Sequence, residues 1–215
     1  VVNTLRKAGL RCAFLGSMGC RLYGNKRLPQ ELDVLVFPTP DSVTDLDSEN
    51  VKERMVNRNR LFYSMRAADP TTTHHYLFRQ IPQHAALPPN YRRRFCKVEV
   101  LVPGEMGLPY LNEKQVNEVE GLPVVPMLVL LLQKLQGWED HLQCVEVRKV
   151  KKHTVDVEDI KDLLQRVGEM PVRMFRPWSE RELLGTQFIN ASKARVKRFC
   201  AKFPGTAVHW KGLGF

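Results

Sequence analysis

Apolar and polar positions alternate in short blocks through the first half of the chain and settle into longer helical runs in the second. Val2 to Gly9 has a helical pattern ended by Gly9, and "RCAFLG" after it is a short apolar strand stopped by Gly16. Ser17 to Tyr23 is again helical, with Ser17 expected at the N-cap and Gly24 closing the helix. A polar loop, "NKRLPQ", leads to "LDVLVF". That strand places Leu32, Val34 and Val36 on one face and Asp33, Leu35 and Phe37 on the other. "TDLDSENVKERMVNRN" predicts a helix with an acidic first turn, and "RLFYSMRA" and "HHYLFRQI" predict strands joined by the turn "ADPTTT". "CKVEVLV" is a further strand, ended by Pro103-Gly104.

Beyond an irregular, proline-containing stretch the pattern becomes helical, with helices expected over Met127 to His141, Val155 to Gly168 and Glu180 to Phe203. The change of character places a boundary near Leu122, between a domain of residues 1–122 and a helical C-terminal domain of residues 123–215. The fold class is α+β, a mixed sheet flanked by helices with a helical half closing over a cleft. "LPVVPMLVLLL", Leu122 to Leu132, is too short for a bilayer and contains two prolines, so it reads as a buried helix and no membrane partner is expected. Trp138, Trp178 and Trp210 are expected as packing anchors of the helical half.

Charge changes the picture more than composition does. Thirty-three Lys and Arg against 23 Asp and Glu leave +10, which favours polyanionic partners such as nucleic acid or nucleotide phosphates. Basic segments with flanking aromatics, "YRRRF" at Tyr91 to Phe95 and "KARVKRF" at Lys193 to Phe199, suit single strands. The second equally reads as a solvated face above Val196 and Phe199. "EVRKVKKH", Glu146 to His153, reads as a flexible basic loop within reach of phosphate. Five cysteines, odd in number and without a CxxC pair, fit a reducing compartment, and so an intracellular, cytoplasmic or nuclear setting. His74, His75 and His84 have no metal-like spacing and read as surface or turn residues.

Two strands carry acids where apolar residues belong: Glu31 and Asp33 on one, Glu99 on another. An uncompensated buried carboxylate costs several kcal/mol. A hard divalent cation, Mg²⁺ or Mn²⁺, resolves that cost, because Mg²⁺ takes oxygen ligands and is commonly held by one or two carboxylates plus substrate phosphates. Glu31 and Asp33, two apart on a strand, project to one side. Gly16 allows a phosphate close to the backbone, and the Ser17 hydroxyl adds a donor. Blander readings stand beside these. Glu31 and Asp33 read also as solvated acids bonded to Arg21, Lys26 or Arg27, Glu99 as a partner of Lys97, and Gly16-Ser17 as an ordinary helix cap. Asp156 and Asp159 fit a structural role in a first helical turn, ordering Lys134 or a nearby arginine, and Lys134 itself can snorkel to the surface.

The order Gly-Ser, short helix, basic loop, acid-x-acid strand and later acid resembles the nucleotidyltransferase superfamily to which DNA polymerase beta belongs. The resemblance is nearest to its AbiEii-like and minimal members, including uncharacterised fungal proteins, which carry similar "LPVVPMLVLLLQKLQGW" and "DVEDI" segments. It implies that Gly16 and Ser17 hold the β- and γ-phosphates of a nucleoside triphosphate, and that Glu31, Asp33 and Glu99 are catalytic metal ligands. Glu99 would also help deprotonate an attacking hydroxyl, and Lys134 would face the triphosphate. The implied reaction moves a nucleoside monophosphate to a hydroxyl on an RNA end, a protein or a small molecule, and releases pyrophosphate. The family usually has Asp where this chain has Glu31 and Glu99, and it often has a second Gly where this chain has Leu15. A second reading therefore stays open, a weak or inactive member that binds nucleotide, nucleic acid or a protein partner. Oligomeric state is not indicated.

Overall fold

The computed structural model describes residues 1–39, 46–69, 71–83, 85, 94–144, 147–167 and 177–215. Helix α1 (Val2–Lys7) leads into strand β1 (Leu10–Leu15), helix α2 (Gly16–Leu22) and strand β2 (Glu31–Pro38). Helix α3 (Ser48–Arg58) precedes strands β3 (Phe62–Arg66), β4 (His75–Gln80) and β5 (Phe95–Leu101). A hairpin, β6 (Asn117–Val119) and β7 (Leu122–Val124), completes a seven-stranded mixed sheet of order β3-β4-β5-β2-β1-β7-β6. Helices α4 (Met127–Gln143), α5 (Val147–Val167), α6 (Pro177–Glu182), α7 (Thr186–Lys202) and α8 (Ala207–Gly212) follow.

The central strands are apolar on both faces where helices cover them. Val34 to Phe37 of β2 are all buried, and its acids stand only at the half-buried N-terminal end. Strand β2 runs antiparallel to β1 and parallel to β5, so residues distant in sequence are brought side by side, Asp33 opposite Glu99 and Glu31 opposite Lys97. Helix α2 packs on β1, β2 and α4. One hydrophobic core runs through both halves, joining Leu35 and Val36 of the sheet to Leu130 and Trp138 of α4 and Phe199 of α7.

Several boundaries differ from the sequence expectation. Leu15, not Ser17, is the N-cap of α2, because the chain turns at Gly16 in a left-handed conformation and Ser17 falls inside the first turn. The apolar run from Leu122 splits. Glu120 and Gly121 both have positive φ, which makes the two-residue turn that pairs β6 with β7, and only from Met127 does the chain become helix. Met127 to Gln133 are then buried on every side. The segment expected as a basic loop is helical from Val147, since α5 starts two turns earlier than its apolar pattern suggests, and Glu146 lies outside the described residues. The long last helix is broken, because Gly185 is extended between α6 and α7.

Trp138 and Trp210 are buried and meet Phe199 edge to face at 5.0 and 6.4 Å, whereas the Trp178 side chain lies outside the described residues. Among the described residues no helix is long and apolar enough to cross a membrane.

Candidate active site

Where β1 ends, Leu15 pairs with Asp33, and Gly16 turns the chain across that carboxylate with φ +57°. A Cβ built on Gly16 would lie 1.8 Å from Asp33 Oδ2. Glycine is needed twice there, for the backbone conformation and for the contact. Helix α2 has seven residues, so its dipole adds little; what it offers is the bare backbone of Gly16 and the Ser17 hydroxyl, which donates to the Glu31 carbonyl at 3.5 Å. Gly9 makes a natural control, with φ +74° and nothing within 4 Å of a built Cβ. We predict that Gly9→Ala costs about 1 kcal/mol, the backbone penalty alone, while Gly16→Ala costs about 2–4 kcal/mol. Chemical denaturation of the two variants measures the difference, and equal losses would remove the close approach to Asp33 from the account.

The acids occupy the cleft face of β2 and β5. Among the described residues Asp33 takes part in no ion pair, and burial, then the charges of Glu31 and Glu99, push its carboxyl up to about 6 against the partial relief of Lys134 and Lys97. The other two acids share a lysine. Lys97 Nζ lies 2.5 Å from Glu99 Oε2 and 3.9 Å from Glu31 Oε2, and Lys152 approaches Glu31 Oε1 at 3.7 Å. Burial alone would lower the Lys97 ammonium; Glu99, Glu31 and Asp33 outweigh it and hold the pKa above the ordinary lysine value. Among the described residues, no three His, Cys, Asp or Glu side chains are gathered into a ready-made metal cluster. Two properties nevertheless suit a hard cation, an all-oxygen donor set and an Asp33 whose charge nothing nearby fully offsets.

Lys134 of α4 enters from the other wall, with its Nζ 2.8 Å from Asp159 Oδ2 and 3.3 Å from Asp156 Oδ1. Burial opposes its charge, and the Cys20 sulfur, Asp159 and Asp156 reverse the effect and raise its pKa. Because burial pushes the Cys20 thiol itself up to about 12, the thiol is neutral at pH 7 and the two carboxylates hold the lysine charged. Arg27 also reaches Asp159, at 2.6 Å, and His141 Nδ1 lies 2.6 Å from Asp156 Oδ2.

These walls enclose a cleft of about 990 Å³ lined by all six sequence candidates, Gly16, Ser17, Glu31, Asp33, Glu99 and Lys134. Arg27, His141, Lys152, Phe78 and Phe95 line it too. The sequence pointed to Arg27 as a partner of the acids, to Lys152 within a basic segment in reach of phosphate and to Phe95 beside a basic patch, but gave His141 and Phe78 no role. Arg27 sits in a polar loop and the aromatics sit in ordinary strand patterns; only the sheet register brings them to the site. The other sequence candidates fall elsewhere. Arg195 and Arg198 of "KARVKRF" pair with Glu139 of α4 beside buried Val196 and Phe199; Arg198 is exposed, as a solvated face requires, whereas Arg195 is largely buried with Glu139. His74 and His75 both lie against Glu49, at 3.4 and 3.1 Å. His84 and Tyr91 to Arg93 lie outside the described residues.

No protein-family model and no curated protein sequence matches the chain. Solved structures do. An antigenic nucleotidyltransferase-like protein from Paracoccidioides brasiliensis superposes with TM-score 0.61 at 12% identity, over 98% of this chain and 88% of the other. The antibiotic-resistance factor ANT(2'')-Ia gives 0.44 at 10% identity over 96% and 92% of the two chains. A putative nucleotidyltransferase from H. pylori gives 0.39 at 12% identity over 99% and 91%. The first overlap establishes a nucleotidyltransferase-like α+β fold; the lower two carry no argument, and nothing singles out the AbiEii-like branch.

Proposed function

On this nucleotidyltransferase-like fold, we propose that the chain transfers a nucleoside monophosphate from a nucleoside triphosphate to a hydroxyl acceptor and releases pyrophosphate. The observation that carries the reading is the juxtaposition at the end of β1, where the bare backbone of Gly16 adjoins the Asp33 carboxylate and the Ser17 hydroxyl meets the Glu31 carbonyl, in a cleft that also holds the Glu31, Glu99 and Lys134 side chains. Gly16, Ser17 and Lys134 bind the β- and γ-phosphates. Glu31, Asp33 and Glu99 would hold Mg²⁺ or Mn²⁺, which when bound supplies charge stabilisation at the α-phosphoryl group. The acceptor oxygen forms a bond to the α-phosphorus as the bond to the bridging β-phosphate oxygen breaks; the hydroxyl proton goes to Glu99, and the electron pair leaves with pyrophosphate. An RNA end, a protein side chain and a small molecule all supply such a hydroxyl.

The test incubates the protein with Mg²⁺ or Mn²⁺, each α-labelled triphosphate, and pooled RNA or lysate protein. Labelled acceptor is expected, with loss of roughly a hundredfold or more in Glu31→Gln and in Glu99→Gln. Label that survives both changes overturns the assignment. The Lys97 contact with Glu99 and Glu31 favours a second reading, in which the same cleft binds nucleotide, nucleic acid or a protein partner without turnover. Metal-dependent triphosphate binding with no labelled acceptor selects it.

A further inference from the structure

The sheet continues past the acids as an open platform. Tyr63 of the edge strand β3 pairs with Phe78 of β4, Phe78 with Lys97 of β5, and Lys97 with Glu31 of β2, which makes one row across four strands on a single face. Two residues along, Met65 pairs with Tyr76 just as Asp33 pairs with Glu99. The rings are organised. Tyr63 stacks on Phe78 at 5.4 Å, Phe95 meets Phe78 edge-on at 5.6 Å, and Lys97 Nζ lies 5.0 Å from the centre of the Tyr76 ring. They are also wet: Tyr63 is 37%, Tyr76 39%, Phe95 41% and Met65 55% exposed.

Four large side chains exposed together on one face, joined to a reaction cleft through Phe78 and Phe95, mark a contact surface. Chemistry selects its side of the reaction. This step rests on the nucleotidyl-transfer reading: in-line displacement puts the attacking and leaving oxygens on opposite sides of the α-phosphorus. Pyrophosphate departs over Gly16 and Ser17, on the β1 side of the acids. The acceptor must arrive over β5, β4 and β3.

We propose that this platform binds the acceptor and that the acceptor is single-stranded nucleic acid, its terminal bases stacked on Tyr76, Phe78 and Phe95 with its hydroxyl end at Glu99. Exposed rings beside cations match unpaired bases and their phosphates, whereas paired bases offer no free face. The charge agrees. The chain carries +10, the half-exposed Lys152 lines the cleft, and exposed Arg94 precedes Phe95, donating to the Pro82 and Gln83 carbonyls.

Fluorescence anisotropy on the whole chain with short labelled RNA, single-stranded and duplex, tests the surface. Single strands should bind more tightly, and Tyr76→Ala and Phe95→Ala should each weaken binding about tenfold. Tyr110→Ala, at a residue that is 74% exposed and belongs neither to a strand of the sheet nor to the cleft lining, should leave it unchanged. Photo-crosslinking of 4-thiouridine RNA to the unaltered protein removes any dependence on the variants' folding; crosslinks should fall on the peptides carrying Tyr76 and Phe95. Duplex binding as tight as single-strand binding, crosslinks elsewhere, or capture of protein but not RNA overturns the proposal. Triphosphate binding, measured separately by calorimetry with Mg²⁺, tells the two readings apart. If it persists while the platform fails, only the acceptor assignment falls; if it is absent while the platform binds, the transfer reading and the acceptor role fall together and single-strand binding alone stands.

Discussion

Asp33→Asn should slow the proposed nucleotidyl transfer by about a thousandfold or more and, at neutral pH, make the protein melt higher. The opposite directions come from one cause. Burial and the neighbouring Glu31 and Glu99 raise the Asp33 carboxyl from 3.8 to about 6. Below pH 3.8 the group is protonated both folded and unfolded and contributes nothing. Between 3.8 and about 6 the unfolded chain has released this proton while the folded one retains it, so stability falls as pH rises. Above that window the deficit is constant at about 3 kcal/mol, and Asn abolishes it. For a chain of this length the gain in Tm is roughly 5–10 °C.

Thermal melts of both proteins across pH 4 to 8 check the sign: the curves should part above about pH 4 and stay parallel above about pH 6. A divalent cation should raise the Tm of the natural protein and leave Asp33→Asn unmoved, since only a ligand bound to the folded state stabilises it. An Asn variant that melts at or below the natural protein at neutral pH would show that Asp33 is not a strained charge. Retention of a destabilising acid at a cleft is what a functional site looks like when stability is measured against activity.

How much of this was visible in the amino-acid order depends on whether each contact is local. Glu31 and Asp33 stood out because Leu32, Val34 and Val36 alternate with them so regularly that a strand, and a shared side for the acids, followed at once. The pairing of Lys97 with Glu99 and the ordering of Lys134 by Asp156 and Asp159 were open as bland readings, because each requires only neighbours on a strand or facing helices. Three things had no local signature. The parallel register that sets Asp33 against Glu99, the contact between Gly16 and Asp33, and the row from Tyr63 to Glu31 all depend on which strands pair. The β6–β7 hairpin was hidden for another reason. Its second strand is three residues long and merges into the apolar run of α4, so only the turn at Glu120-Gly121 marked it.

Asp159→Ala should be the most destabilising single change at the cleft, by about 3–5 kcal/mol, because it strands Lys134 in a place water barely reaches and takes a partner from half-buried Arg27. Asp159 is 1% exposed and accepts from Asn25 at 3.2 Å, Arg27 at 2.6 Å and Lys134 at 2.8 Å. Lys134, itself 13% exposed, would keep only the longer 3.3 Å contact with Asp156, a carboxylate already engaged by His141. A fall in Tm of roughly 10 °C follows for a chain of this size. The double variant Lys134→Met with Asp159→Ala isolates the cause. If the loss comes from an uncompensated ammonium, removing that ammonium restores about 1–3 kcal/mol, whereas losses through packing alone would add. Arg27 and Asn25 precede β2 in the loop that delivers Glu31 and Asp33, so Asp159 ties the helical half to the acidic strand as well as to Lys134. Asp159→Ala should therefore depress transfer even at temperatures where the variant is fully folded. A variant within about 1 kcal/mol of the natural protein would mean that water already shares these charges. Lys134 would then be free to meet a triphosphate without first giving up its carboxylates.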